Sequence, residues 1–170
     1  MEKITLRPAT PADLAAVDTL LARSYPRLLA ADYPPSVMVT AVRIIARARP
    51  ELLASGRYFL AVEGGRLLGA GGYSLAAPGA RGGPQGEVEA GTAHIRHLAT
   101  DPDALRRGIG RALMQRIFKA AGAEGVQRYD SLSTRTAVPF YAAMGFRAVA
   151  EVEVPLAAGV GFPAIRMVRP

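Results

Sequence analysis

Apolar positions along the chain change period several times, and each change marks an element. Ile4-Thr5-Leu6-Arg7 reads as a first strand. Thr10-Pro11-Ala12-Asp13 is a helix start: Thr10 can cap, proline suits the first helical position, and Asp13 stands where a capping-box acid would. Leu14, Val17, Leu20 and Leu21 then form one helical face. Tyr25 to Pro35, with three prolines, reads as a loop. Val37, Ala41, Ile44, Ile45 and Ala48 predict a second helix that Pro50 ends, with a short helical turn before Gly56. Arg57 to Glu63 and Arg66 to Tyr73 flank Gly64-Gly65, the pattern of a hairpin. Ala76 to Gly86 is rich in Gly, Pro and Ala and reads as a flexible loop.

The second half resumes with a strand from Thr92 to Thr100. A helix from Ile109 to Ala121 follows, with Leu113, Ile117 and Ala120 on one face and Gly122 just past its end. Val126 to Leu132 is a strand, Thr134 to Met144 a short helix stopped by Gly145, and Phe146 to Val154 and Ala164 to Val168 are the last strands. No repeat interrupts the order β-α-α-β-β-β-α-β-α-β-β. That order suits an α/β fold, a mixed sheet with helices on both faces.

The chain of 170 residues fits a single domain, 1–170, able to bury a core without disulfides or metal. It has no cysteine, which excludes disulfides, Cys-ligated zinc and thiol nucleophiles, and its two histidines, His94 and His97, cannot alone make a His-rich metal site. No apolar run approaches the ~18 residues of a membrane span. The N-terminal segment lacks a signal-peptide core, so a cytoplasmic location is expected. The formal charge is +7, carried by 21 basic residues of which only Lys3 and Lys119 are lysines. The charge could attract an anionic ligand. The basic residues are scattered, with no run of five and no interleaved aromatics, so nucleic acid is not an expected partner.

The most informative stretch is Leu98-Ala99-Thr100-Asp101-Pro102-Asp103-Ala104-Leu105-Arg106-Arg107-Gly108-Ile109-Gly110-Arg111. A strand enters a glycine-containing turn and then an amphipathic helix. Free amides at a helix start bind phosphate, and glycines let the ligand approach the backbone. Arg106, Arg107 and Arg111 add positive charge. Neither lysine follows a glycine as a Walker loop requires, and Leu113 stands where a dinucleotide fingerprint needs its third glycine.

This stretch resembles motif A of the GNAT superfamily of N-acyltransferases, Gln/Arg-x-x-Gly-x-Gly/Ala, with Leu105 in place of the usual Gln or Arg. Downstream, Ala137-Val138-Pro139-Phe140-Tyr141-Ala142-Ala143-Met144-Gly145-Phe146 resembles the family's second signature, Ala-x-x-Phe-Tyr-x-x-x-Gly-Phe. The resemblance implies a mostly antiparallel sheet of about seven strands with a splayed central strand. It implies acetyl-CoA as cofactor, with the diphosphate on Leu105, Arg106, Arg107, Gly108, Ile109, Gly110 and Arg111 and the pantetheine arm along Leu98, Ala99 and Thr100. It implies direct acetyl transfer to a primary amine of a small molecule or peptide, with Tyr141 near the CoA sulfur as the acid. Homodimers through the late strands are also common in the family. A non-catalytic acyl-CoA-binding or sensory module of the same fold is the alternative.

The base stays open. Strand alternation puts His94, Arg96, Leu98 and Thr100 on one face and Ile95, His97 and Ala99 on the other. Ala-His-x-x-x-Leu-Ala is similar to this strand in arylalkylamine N-acetyltransferases, which implies His94 as a proton relay. An imidazole with a pKa near 6.5 suits that task, and a hydrogen-bonded structural histidine is the other reading. His97, of opposite parity, reads as structural. Glu87 and Glu89 are reserve bases. Arg96 can bind a substrate carboxylate or phosphate through bidentate contacts or can form a structural salt bridge. The early loop, with Tyr33, is expected to roof the acceptor pocket.

Overall fold

Most elements lie where the apolar pattern puts them. A computed structural model describes residues 2–79 and 86–170. The chain opens with β1 (Thr5–Pro8), then a 3-10 turn over Pro11–Asp13 held by the Asp13 carboxylate, which accepts from the Thr10 amide at 2.8 Å. Helix α1 (Leu14–Leu29) follows. The loop expected from Tyr25 is corrected here, because α1 continues through Pro26. Proline removes one helical N–H, but Leu29 is buried and Tyr25 packs against two core clusters, so tertiary packing outweighs the loss.

The single second helix is likewise corrected to two, α2 (Pro35–Val39) and α3 (Ala41–Ile45). The break at Thr40 has its Oγ1 donating to the Ser36 carbonyl at 2.6 Å. It lets Ala41 and Val42 reach the core while Val39 stays exposed. Pro50 begins α4 (Pro50–Leu53). The hairpin β2 (Tyr58–Glu63) and β3 (Arg66–Ser74) turns on Gly64 and Gly65, both at positive φ, as a two-residue turn requires. Of the loop expected over Ala76–Gly86, residues 80–85 lie outside the described residues.

Strand β4 (Thr92–Thr100) leads through a 3-10 turn at Pro102–Ala104 to α5 (Ile109–Ala123), two residues longer than expected and enclosing Gly122. Then come β5 (Arg128–Ser133), α6 (Val138–Ala143), β6 (Arg147–Ala157) and β7 (Val160–Arg169). The seven strands form one sheet in the order β1-β2-β3-β4-β5-β7-β6, with β4 and β5 its parallel pair.

Helices cover both faces. Phe59, Ala61 and Leu68 pack with Leu113 and Ile117 of α5, whereas Tyr58, Leu60 and Ala70 pack with Val17, Leu20 and Leu21 of α1. This is why β2 is apolar at consecutive positions: both of its faces are buried. A third cluster joins α3 to the β6–β7 hairpin through Val42, Leu156 and Phe162. Among the described residues no helix is long and apolar enough to cross a membrane.

Two irregularities of β4 shape the molecule's concave side. Beyond Thr92, Ala93 and His94, β4 loses its pairing with β5, while it stays paired with β3 to Thr100 and β5 stays paired with β7 to Ser133. The sheet therefore splays between two strands. The second irregularity is a bulge: Ala70 opposes Ala99 but Gly72 opposes Arg96, so β4 spends one extra residue there.

Candidate active site

The bulge falls at His97, whose φ is 46°. Its carbonyl accepts a hydrogen bond from the Tyr58 hydroxyl at 2.7 Å. The extra residue reverses the side-chain parity of everything after it. Ile95 and Leu98 both pack on the α5 side, and Ala99 on the α1 side. The alternation that put Arg96 and Leu98 on one face is corrected accordingly. Arg96 and His97, adjacent in sequence, border the same cleft. A residue run of Gly69-Ala70-Gly71-Gly72 opposite the bulge is the one sequence signal for it. A Cβ at Gly71 would come within 2.4 Å of the Leu98 side chain, so the opposing strand has to be small there.

Three spaces follow one another across the splay. The first, about 290 Å3, lies between the start of α5 and α6, bounded by Thr100, Leu105, Arg106, Gly108, Gly110 and Phe140 among others. The second, about 260 Å3, shares Thr100, Leu105, Gly110 and Phe140 with it and adds Leu98, Ala99 and Thr134. The third, about 120 Å3, shares Tyr25 and Thr134 with the second and contains Arg49, Arg96, His97, Leu132 and Phe162. The expected residues Leu98, Ala99, Thr100, Leu105, Arg106, Gly108, Ile109, Gly110 and Arg111 thus line the first two spaces.

The start of α5 has the features of an anion cradle. Gly108 caps it at φ 77° and supplies no side-chain acceptor. The first amide with a helical partner is that of Ala112, which donates to the Gly108 carbonyl at 2.9 Å. The amides before it point out of the helix end with the positive pole of its dipole. Asp101 fixes the approach by accepting from the Asp103 amide at 2.8 Å and from Arg66 at 3.3 Å. Arg107 faces away, since its guanidinium pairs with Glu63 at 2.6 Å. A CoA diphosphate fits this end of the groove: the helix is uncapped, and Gly110 keeps the backbone open there, where a Cβ would stand 3.1 Å from the Phe140 ring and press on it.

Tyr141, expected near the reacting sulfur, is buried between Phe140 and Phe146, with ring centroids 5.5 and 5.1 Å away. Burial pushes its hydroxyl up to about 12, against a hydrogen bond with the Ser131 side chain of β5. Tyr141 lines neither the second nor the third space, whereas Tyr25, in α1, and Thr134 border both. Burial raises Tyr25 far above the usual phenol range, and the nearby Tyr141 adds to the effect. Both hydroxyls therefore keep their protons at neutral pH.

His94 lines none of these spaces. Burial lowers its pKa, while the neighbouring Asp130 partly opposes that shift. His97 is lowered to about 3, first by burial and then by the charges of Arg96 and Arg49. Arg96 is 4% exposed, donates to Ser74 Oγ at 3.2 Å, and is itself brought down to about 10 by burial and by Arg49, with Glu51 opposing. Tyr33 is a correction to the expected roof. It stacks on Phe162 at 5.0 Å, its hydroxyl donates to the Pro163 carbonyl at 2.8 Å, and the same Tyr33 hydroxyl oxygen accepts from the Arg135 amide at 2.9 Å. It ties the loop after α1 to β7. Glu87 and Glu89, just before β4, line none of the three spaces.

Comparison with known proteins bears on this geometry. The sequence model of the acetyltransferase (GNAT) family matches residues 17–146. None of the curated proteins matches the sequence. Among solved structures, a GCN5-related N-acetyltransferase from Rhodopseudomonas palustris is 24% identical with a TM-score of 0.77, over 99% of this chain and 96% of its own. The PaiA N-acetyltransferase from Thermoplasma acidophilum, solved with coenzyme A, is 16% identical with a TM-score of 0.70, over 98% of each chain. An acetyltransferase from Thermus thermophilus is 25% identical with a TM-score of 0.64, over 100% of this chain and 99% of its own. The seven-stranded fold is common to this group.

Proposed function

Because the chain belongs to the acetyltransferase (GNAT) family, we propose that residues 1–170 form one N-acetyltransferase domain that carries an acetyl group from acetyl-CoA directly to a primary amine. The observation that carries this reading is the row of three adjoining spaces that share lining residues, from the uncapped start of α5, along the open edge of β4, to the cleft lined by Arg96. The coenzyme A bound to the Thermoplasma acidophilum relative supports the choice of cofactor.

In this reading the amides of Gly108, Ile109, Gly110 and Arg111 hold the diphosphate, with Arg106 and Arg111 adding charge. The unpaired edge of β4 from Leu98 to Thr100 receives the amide-rich arm, as an added strand would. Leu28, Leu98 and Phe140 keep water from it. Bound acetyl-CoA supplies an activated thioester carbonyl and a thiolate leaving group. Tyr141, neutral at any physiological pH, donates a hydrogen bond or proton to the departing sulfur, with Tyr25 beside it.

The amine must arrive without its proton. An alkylamine of pKa ~10.4 is only about one part in 10³ neutral at pH 7, a cost of roughly 4–5 kcal/mol. Arg49 and Arg96 lower that cost, since nearby positive charge disfavours an ammonium. His94, set back from the cleft beside Asp130, takes the released proton through water. His97 is too weak a base to hold it at neutral pH.

The test has two arms. Calorimetry with CoA is expected to give binding that Gly110→Val weakens, and acetyl-CoA consumption with a panel of amines is expected to give turnover that His94→Ala and Tyr141→Phe slow. CoA bound as well by Gly110→Val as by the unaltered protein overturns the groove assignment. Full turnover in both His94→Ala and Tyr141→Phe overturns the roles of those side chains.

A further inference from the structure

Two residues are shared by the second and third spaces, Tyr25 and Thr134. Thr134 is turned to the start of α6, where its Oγ1 accepts from the Ala137 amide at 3.2 Å. The tyrosine hydroxyls differ in how they are engaged. Tyr33, Tyr58 and Tyr129 donate to the carbonyls of Pro163, His97 and Phe118, and Tyr73 donates to the Glu124 carboxylate. Tyr141 shares a hydrogen bond with Ser131. The Tyr25 hydroxyl has no hydrogen-bond partner among the described residues, although its ring packs against two core clusters. A half-buried phenol normally finds an acceptor, so an unspent O–H at the edge of a groove points to an acceptor on a ligand. Its position is fixed by the two residues before it. Ser24 Oγ donates to the Thr100 carbonyl at 2.8 Å and Arg23 pairs with Asp101 at 3.4 Å, which ties α1 to the end of β4.

We infer that the Tyr25 hydroxyl is the hydrogen-bond donor to the acetyl carbonyl oxygen during transfer, a role separate from that of Tyr141. This rests on the acetyl-transfer reading above. In that reading the sulfur lies in the second space and the amine enters from the third. The carbon under attack then stands between them, where Tyr25 borders both. Attack of the amine nitrogen forms the C–N bond and moves the C=O π pair onto oxygen. Tyr25 meets that charge with a hydrogen bond and keeps its proton. The pair then returns, the C–S bond breaks with its electrons on sulfur, and sulfur takes the proton that Tyr141 gives. The proton released by the nitrogen replaces it through His94 and water. Burial and the neighbouring Tyr141 hold the Tyr25 phenol far above its usual range, which suits a donor that must not ionise. A fixed donor gains most where charge develops, so it speeds the step more than it tightens ground-state binding.

The test is difference infrared spectroscopy of acetyl-CoA, isotope-labelled at the acetyl carbonyl and bound to the full chain, beside steady-state kinetics and CoA calorimetry. Binding is expected to lower the carbonyl frequency. Tyr25→Phe, which keeps the ring, returns the band part of the way to its solution position, and Tyr141→Phe does not. On any amine that the unaltered protein acetylates, Tyr25→Phe is expected to lower kcat about 10²- to 10³-fold, the usual effect of losing one oxyanion donor. The Kd for CoA, which has no acetyl carbonyl, stays within about twofold and shows that the variant is folded. A band in Tyr25→Phe that matches the unaltered protein overturns the inference, and so does an undiminished kcat. A band shift lost in Tyr25→Phe supports it even if no amine is acetylated, an outcome that would sink the transfer reading alone.

Discussion

The Tyr58 hydroxyl donates to the His97 carbonyl across 2.7 Å, and so β2 anchors the bulge of β4 from beneath. That bond matters because the bulge decides which side chains reach the cleft. Without the extra residue Arg96 and Leu98 would share a face, and His97 would turn from the cleft. Tyr58 is 1% exposed, so its hydroxyl has no solvent to turn to in place of that carbonyl.

Tyr58→Phe is therefore expected to destabilise the fold by about 1–2 kcal/mol, the usual effect of a lost buried hydrogen bond. It should also loosen the β4 edge. Urea unfolding reads the first effect, and a raised KM for acetyl-CoA reads the second. A KM unchanged alongside the stability loss would mean that the bulge holds its shape without Tyr58.

Gly110 and Gly108 separate crowding from backbone strain. Gly108→Ala meets no atom within 4 Å but sits at φ 77°, so its expected effect is a stability loss of about 1 kcal/mol. Gly110→Val keeps helical backbone but drives its side chain into Phe140 and the groove. Its expected effect is a KM for acetyl-CoA raised about tenfold or more, equivalent to ~1.4 kcal/mol or more of binding. Steady-state kinetics and CoA calorimetry on both variants distinguish the two mechanisms.

His97 sets an acid limit on stability. Its folded pKa is about 3, against ~6.5 in an unfolded chain. A lowered folded pKa contributes stability that is fully present above pH ~6.5 and is lost as pH falls toward 3. His97→Asn keeps a residue tolerant of positive φ and removes this titration. Between pH 7 and pH 4 the unaltered protein is expected to lose on the order of 2 kcal/mol more than the variant. Denaturant melts at several pH values check this, and parallel losses in both proteins would rule it out.

Tyr141→Phe keeps the ring between Phe140 and Phe146 and removes only the hydroxyl. If that hydroxyl assists the leaving sulfur, kcat falls by about 10²-fold while the KM for acetyl-CoA stays within about twofold. Since the group is held at about 12, the pH–rate profile below pH ~10 should carry no limb belonging to it. An unchanged kcat in Tyr141→Phe, with a fall in Tyr25→Phe, would move the role to Tyr25, which borders both the second and the third space.

Local chemistry was enough to write most of this protein from its sequence. Propensity, turn glycines and apolar period specify seven strands, the Gly64-Gly65 hairpin and the helix behind Gly108, because each depends on residues close together in the chain. The proposed diphosphate loop is legible for the same reason: a helix start and its glycines lie in one short segment. What only the tertiary structure decided is which side chains border the third space. The bulge at His97 belongs to a mismatch between β3 and β4, and no periodicity within β4 reveals it. Arg49, Tyr25 and Arg96 meet at one cleft because α1, the turn before α4 and the splayed strand converge there. Tyr33 leaves it because Phe162 and Pro163, more than a hundred residues away, hold it elsewhere. Contacts between distant segments depend on packing of the whole core, whereas a turn or a cap is settled by its own few residues.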